Sequence, residues 1–163
     1  MHEVVDDQRI RRRVLLAEDG LDNQRLIARV LKKAGVEVTI AENGQVAVDL
    51  ALTAQQAGHA FDTVLMDMQM PIMDGYEATK RLKETGCVTP IVALTAHAMD
   101  EHRQQCLDAG CDDYMSKPFE QAMLLRIVAE YSGRRAGNDT SVNESNYPRR
   151  ASVLFIRSTT GSS

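Results

Sequence analysis

The chain has 163 residues, 44% of them hydrophobic, which is enough for one compact domain with a real core and hardly enough for two. Its net charge of −4 argues against nucleic acid as a ligand of the folded body; residues 134 to 163 concentrate five arginines against Asp139 and Glu144. No apolar run is long enough to span a bilayer, and the start "MHEVVDDQRIRRRVLLAED" has no apolar signal core, so a cytoplasmic location is expected.

Residues 1–11 are set aside as an N-terminal extension. From residue 12 on, short apolar runs rich in β-branched residues alternate with stretches of helical period, the pattern of βα units around a parallel sheet. The first strand is predicted at Val14 to Glu18. A helix follows, with Leu26, Ile27, Val30, Leu31 and Ala34 in phase and Gly35 where a C-cap falls. The second strand is Val36 to Ala41. Asn43-Gly44 opens the next helix, with Val46, Leu50, Ala51 and Ala57 on one side and Gly58 beyond. The third strand, Phe61 to Asp67, leads to a helix over 75–84, the fourth, Pro90 to Ala96, to a helix over 99–109, and the fifth, Asp112 to Ser116, to a helix over 119–131. Right-handed crossovers then give a doubly wound (βα)5 sheet with helices on both faces. Residues 132–163 read as a linker or tail, with "ASVLFIRS" a lone strand-like run. They are too few for a separate DNA-binding domain.

The three cysteines, Cys87, Cys106 and Cys111, form no CxxC, so neither a disulfide framework nor a zinc site is expected. They are read as small buried hydrophobes. His97 and His102 lack the i, i+4 spacing of two ligands on one helical face.

Ligands of open parallel sheets bind outside the carboxyl ends of the strands, and those ends carry Glu18-Asp19, Asp67, Thr95 and Lys117. Three acids meeting in one cleft resist ionisation unless a cation is near. Asp19 and Asp67 offer hard oxygen ligands suited to Mg²⁺. Lys117 and the Thr95 hydroxyl suit a phosphoryl group, whose transfer depends on positioning and charge neutralisation. Asp67, ending the central strand, is the candidate nucleophile, since carboxylates form acyl phosphates. The competing reading of Asp19, with Asp22, is a cap for the first helix.

The stretches "LLAEDGLDNQRL", "VLMDMQMPIMDGYEA", "IVALTAHAM" and "GCDDYMSKPF" together resemble the receiver domain of two-component response regulators, over residues 12–131. The wording is closest to the receivers of hybrid sensor histidine kinases; whether the chain is a segment of such a kinase stays open. The resemblance implies a flavodoxin-like fold with a five-stranded parallel sheet in the order 2-1-3-4-5. It implies that Asp67 accepts phosphate from a phosphohistidine on a histidine kinase or histidine phosphotransfer protein. It further implies that Asp19 and Asp67, with the Gln69 backbone carbonyl, hold Mg²⁺ or Mn²⁺, and that Glu18 acts through a bound water. Lys117 would pair with a phosphoryl oxygen beside a cis Lys117-Pro118 bond, and Thr95 would swing to the phosphoryl group with the Ala96 N–H as a further donor. Tyr114 matches the aromatic position that turns inward when the threonine moves. Pro71 and Gly75 would shape the loop after Asp67, while Gln69 and His97 tune the phosphoryl lifetime. The fourth helix, fifth strand and last helix would form the output face. Such a domain catalyses its own phosphorylation and dephosphorylation and is not a turnover enzyme by itself.

Two alternatives stand beside this one. A haloacid dehalogenase-like phosphatase would carry a second acid two residues after its nucleophile, where this chain has Gln69. A phosphorylation-independent interaction module would share the fold without the chemistry.

Overall fold

Along the described residues of the computed structural model, 12–96 and 100–137, strands and helices alternate. They are β1 (Arg13–Ala17), α1 (Leu21–Lys33), β2 (Glu37–Ala41), α2 (Gly44–Gln56), β3 (Thr63–Asp67), α3 (Gly75–Glu84), β4 (Ile91–Thr95), α4 (Asp100–Ala109), β5 (Asp113–Ser116) and α5 (Gln121–Gly137). Every strand lies within two residues of its predicted run. The N-terminal extension, His97, Met99 and the tail from residue 138, with its "ASVLFIRS" run, lie outside the described residues.

The strands form one five-stranded sheet in the order β2-β1-β3-β4-β5, with every neighbouring pair parallel. Parallel sheets are covered on both faces, so their inner strands must be apolar throughout, and all residues of β3 and β4 are buried. Alternation of side chains along each strand splits the core in two. Leu15, Ala17, Val64, Met66, Ile91 and Ala93 pack under Ala47, Val48 and Ala51 of α2, Ala78 and Leu82 of α3, and Cys106 of α4. On the other face, Val14, Leu16, Leu65, Val92, Leu94 and Met115 meet Ile27, Val30 and Leu31 of α1 and Leu124, Ile127, Val128 and Tyr131 of α5.

The helical faces differ in detail from the predicted ones. In α1 the buried stripe is Gln24, Ile27, Ala28, Val30 and Leu31, while Leu26 is 47% exposed. Ala34 serves as the C-cap, and Gly35 follows it at φ +86°, the left-handed residue that closes such an end. In α2, capped by Asn43 through Val46 N–H, the buried residues are Gly44, Ala47, Val48 and Ala51, and Val46 is exposed. The helix start decides this, because Gly44 N–H donates to Met73 O at 2.9 Å and turns the alanines onto the sheet.

The last helix starts at Gln121 and runs through Gly137, past the Tyr131 end that its breaker-rich continuation suggested. Ser132 is buried and its hydroxyl shares a 3.0 Å hydrogen bond with Thr63 Oγ1, so a residue that looks like linker is anchored at the start of β3. Ser132→Ala leaves the buried Thr63 hydroxyl without this partner, and the expected loss is about 1–3 kcal/mol, read as a lower urea midpoint at unchanged m-value. Among the described residues no helix is long and apolar enough to cross a membrane.

Candidate functional site

Sheet order reverses between β1 and β3, and in this topology the crevice opens at their carboxyl ends. Glu18 and Asp19 directly follow β1, and Asp67 is the last residue of β3. One carboxylate oxygen from each of Glu18, Asp19 and Asp67 lies within 4.8 Å of the others. Glu18 and Asp67 are buried, whereas Asp19 is exposed. Helix α1 is capped by Gly20 without a side-chain hydrogen bond, so neither Asp19 nor Asp22 serves as its cap. All three donors are hard oxygens, the chemistry that Mg²⁺ selects, and the set fits that ion.

Lys117 binds two of these acids at once. Its Nζ lies 3.2 Å from Glu18 Oε1 and 3.2 Å from Asp67 Oδ2. Asp67 Oδ1 accepts the Gln69 N–H at 3.0 Å. Glu18 Oε2 accepts from Gly20 N–H at 3.1 Å and from Asn23 Nδ2 at 3.4 Å. Burial raises the Asp67 pKa and the Glu18 charge adds to the rise, against the Gln69 N–H and Lys117, which lower it. Burial works against the Lys117 charge, but Asp67 and Glu18 together outweigh it and raise its pKa. The crevice thus holds an acid that keeps its proton more tightly than usual, chiefly through burial, beside an ammonium kept charged.

Thr95 ends β4 and is buried. It stands one residue beyond Leu94, the register partner of Asp67. Its carbonyl accepts the Lys117 N–H at 2.7 Å, so the threonine backbone fixes where the lysine begins. Ala96 follows on the exposed rim, and the Lys117-Pro118 bond is cis. Tyr114 of β5 is half-buried, and Arg103 of α4 donates to its hydroxyl at 3.2 Å, the guanidinium carbon 5.8 Å from the ring centroid. Gln69 and Pro71 are exposed in the β3–α3 loop. That loop returns through Gly75 N–H to Met68 O at 3.1 Å, and Asp74 caps α3 through Glu77 N–H.

Sequence reading missed a supporting layer under Glu18. Asn23 holds its carboxylate, and Gln24 Nε2 donates to its backbone oxygen at 2.6 Å. A signal for Gln24 existed, since it stands at i, i+3, i+4 and i+7 with Ile27, Ala28 and Leu31, a polar residue in phase with the apolar stripe.

Residues 14–129 match the family model of the response regulator receiver domain. The chain belongs to that family. It is 39% identical over 130 residues to hybrid signal transduction histidine kinase I of Dictyostelium discoideum, the match covering 77% of this chain and 8% of that protein's length. Among solved receivers it is 38% identical, at TM-score 0.69, to the receiver domain of sensor histidine kinase PA1611 of Pseudomonas aeruginosa PAO1, a structure with magnesium coordinated in the active-site cleft; the alignment covers 76% of this chain and 98% of that one. The Ssk1 receiver of Saccharomyces cerevisiae, crystallised with the histidine phosphotransfer protein Ypd1, is 30% identical at TM-score 0.70, over 80% of this chain and 94% of its own. This receiver is therefore a module of two-component phosphorelay signalling, similar to those of hybrid histidine kinases.

Proposed function

We propose that Asp67 accepts a phosphoryl group from a phosphohistidine on a histidine kinase or histidine phosphotransfer protein, and that the acquired charge drives a two-state switch. The observation that carries this reading is the meeting of Glu18, Asp19 and Asp67 in one crevice with Lys117 bonded across two of them. The Ypd1 complex of the Ssk1 receiver supports the class of donor.

In the transfer, an Asp67 carboxylate oxygen forms a bond to phosphorus while the phosphorus–nitrogen bond of the donor imidazole breaks, the nitrogen leaving with the bonding pair. Lys117 turns its ammonium from Asp67 Oδ2 to the arriving phosphoryl oxygens. Thr95 and the Ala96 N–H supply further donors. Asp19, Asp67 and the Gln69 carbonyl would hold Mg²⁺ or Mn²⁺, with Glu18 acting through water; the ion supplies neutralisation of phosphoryl charge. The acyl phosphate adds about −1.5 to −2 charge. Thr95 and Lys117 are drawn to it, and Tyr114 follows, leaving Arg103. Moving such a switch from 1:99 to 99:1 takes about 5.5 kcal/mol of preference for the modified state, within reach of several charge-assisted hydrogen bonds. The responding surface is α4, β5 and α5.

Intact-mass analysis after treatment with acetyl phosphate tests the reading. The expected result is one phosphoryl equivalent per chain, present with Mg²⁺ and absent after chelation. Steady phosphate release from a monoester would instead favour a phosphatase, and folded protein that gains no adduct and binds no beryllofluoride would reduce the domain to an interaction module.

A further inference from the structure

We propose that Cys106 and Cys111 are a reversible oxidation site, closing an intrachain disulfide that staples the end of α4 to the start of β5 when a peroxide is supplied. The backbone brings the two residues together. Gly110 N–H donates to Leu107 O at 3.0 Å and Cys111 N–H donates to Cys106 O at 3.0 Å, with Gly110 at φ +112°. These are the two hydrogen bonds and the left-handed residue of a Schellman cap, a motif that brings the side chains at its two ends into contact. The same bond pattern closes α1, where the end residues are Leu31 and Val36, and α3, where they are Leu82 and Cys87. Only the α4 cap, among these three, places a thiol at both ends.

Cys106 is fully buried and Cys111 is 6% exposed, so peroxide reaches the pair only when this end of α4 opens. The Cys111 thiol donates toward Thr79 Oγ1 at 3.8 Å. The neighbouring Cys111 and, to a lesser degree, Tyr76 lower the Cys106 pKa against the opposing effect of burial. Cys111 is pushed up, by its bond to Cys106 and by burial, and Tyr76 is raised to about 12, first by burial. Of the two thiols Cys106 is therefore the more readily deprotonated and Cys111 the less. A disulfide asks for α carbons about 4.4–6.8 Å apart, a separation compatible with the backbone bond that already ties these residues.

The chemistry balances with hydrogen peroxide as oxidant. The Cys106 sulfur attacks one peroxide oxygen, the O–O bond breaks, and the departing hydroxide takes a proton to leave as water. The Cys106 sulfenic acid that results is attacked by the Cys111 sulfur; the S–O bond breaks, and the second hydroxide leaves as water with the Cys111 proton. Two thiols are oxidised by two electrons and one peroxide becomes two waters. Thiol reductants reverse the step. On the reading proposed above, the staple ties α4, the next helix in the chain after Thr95, to β5, the strand that leads to Lys117.

Treating the full chain with hydrogen peroxide under native conditions, then unfolding it in denaturant, alkylating and weighing it, tests the proposal. The expected product has lost two hydrogen atoms, alkylates only at Cys87, and yields a peptide joining Cys106 to Cys111; dithiothreitol restores all three alkylatable thiols. Cys87→Ser should form the same cross-link to the same extent. The proposal is overturned if the folded chain keeps three alkylatable thiols, if oxygen adds to Cys106 without cross-linking, or if either residue joins Cys87 instead. Circular dichroism before and after treatment confirms that the chain tested is folded.

Discussion

Asp67→Asn is expected to abolish phosphoryl incorporation and, in the same molecule, to stabilise the metal-free fold. The amide has no anionic oxygen to attack phosphorus, so labelling by acetyl phosphate falls to background whatever the Mg²⁺ concentration. The stability gain follows from the ionisation of the native carboxyl. Burial and the Glu18 charge raise its pKa above the ordinary aspartate value, so the folded chain holds this proton more tightly than the unfolded one. Its favourable contribution is complete below the unfolded pKa and is lost as pH rises through the folded value. At neutral pH the wild type therefore carries an ionised acid that its surroundings oppose, whereas the asparagine variant does not. The expected gain is about 0.5–2 kcal/mol, the usual size of a single stabilising substitution. It should grow from acid to neutral pH, and Mg²⁺ should shrink it by stabilising the wild type alone. Intact mass and urea melts across pH read both effects. Labelling of the variant at the wild-type level would sink the assignment of Asp67. A variant less stable than wild type at neutral pH without metal would mean that Lys117 and the Gln69 N–H outweigh burial.

The strands were legible because a doubly covered parallel sheet demands unbroken apolar runs, and "TVLMD" and "IVALT" have no other use for so many branched side chains. The site was legible for a related reason. Each of those runs stops where the chain leaves the core, so a polar residue at the stop lies on the binding edge. Helical faces were harder to read. Leu26 and Val46 are apolar but exposed, and Gln24 is polar but buried, because what a helix buries is set by where its first turn is pinned. The end of α5 was hidden for the same kind of reason: "SGRR" is breaker-like locally, and only the distant Thr63 hydroxyl explains why Ser132 stays inside. Nothing in spacing alone could show that Lys117 bonds Glu18 as well as Asp67, since 99 residues separate that pair.

The second large effect is expected from a residue with no side chain. Gly75 begins α3, and a Cβ there would lie 2.3 Å from the Asp67 carbonyl oxygen, 2.7 Å from Met68 Cα and 2.7 Å from Met68 Cε. Two of these three atoms are backbone, so the contact cannot be relieved by rotating a side chain. Either α3 withdraws, losing the Gly75 N–H bond to Met68 O, or the end of β3 shifts and carries Asp67 with it. Alanine gains about 1 kcal/mol over glycine in a helix interior, less at this first position, while overpacking a tight site costs about 1–3 kcal/mol and occasionally more. The loss should win, with Gly75→Ala destabilised by roughly 2 kcal/mol. Function should suffer more than stability. A misplacement on the order of 1 Å can cost about a hundredfold in rate, so acetyl phosphate labelling should slow by at least tenfold under conditions where the variant is still folded. Lys80→Ala, on an exposed position of the same helix, should change neither quantity appreciably and serves as the control. If Gly75→Ala melts and labels like wild type, the turn can move without moving the acid. The close approach of α3 to the end of β3 would then not be what holds Asp67 in place.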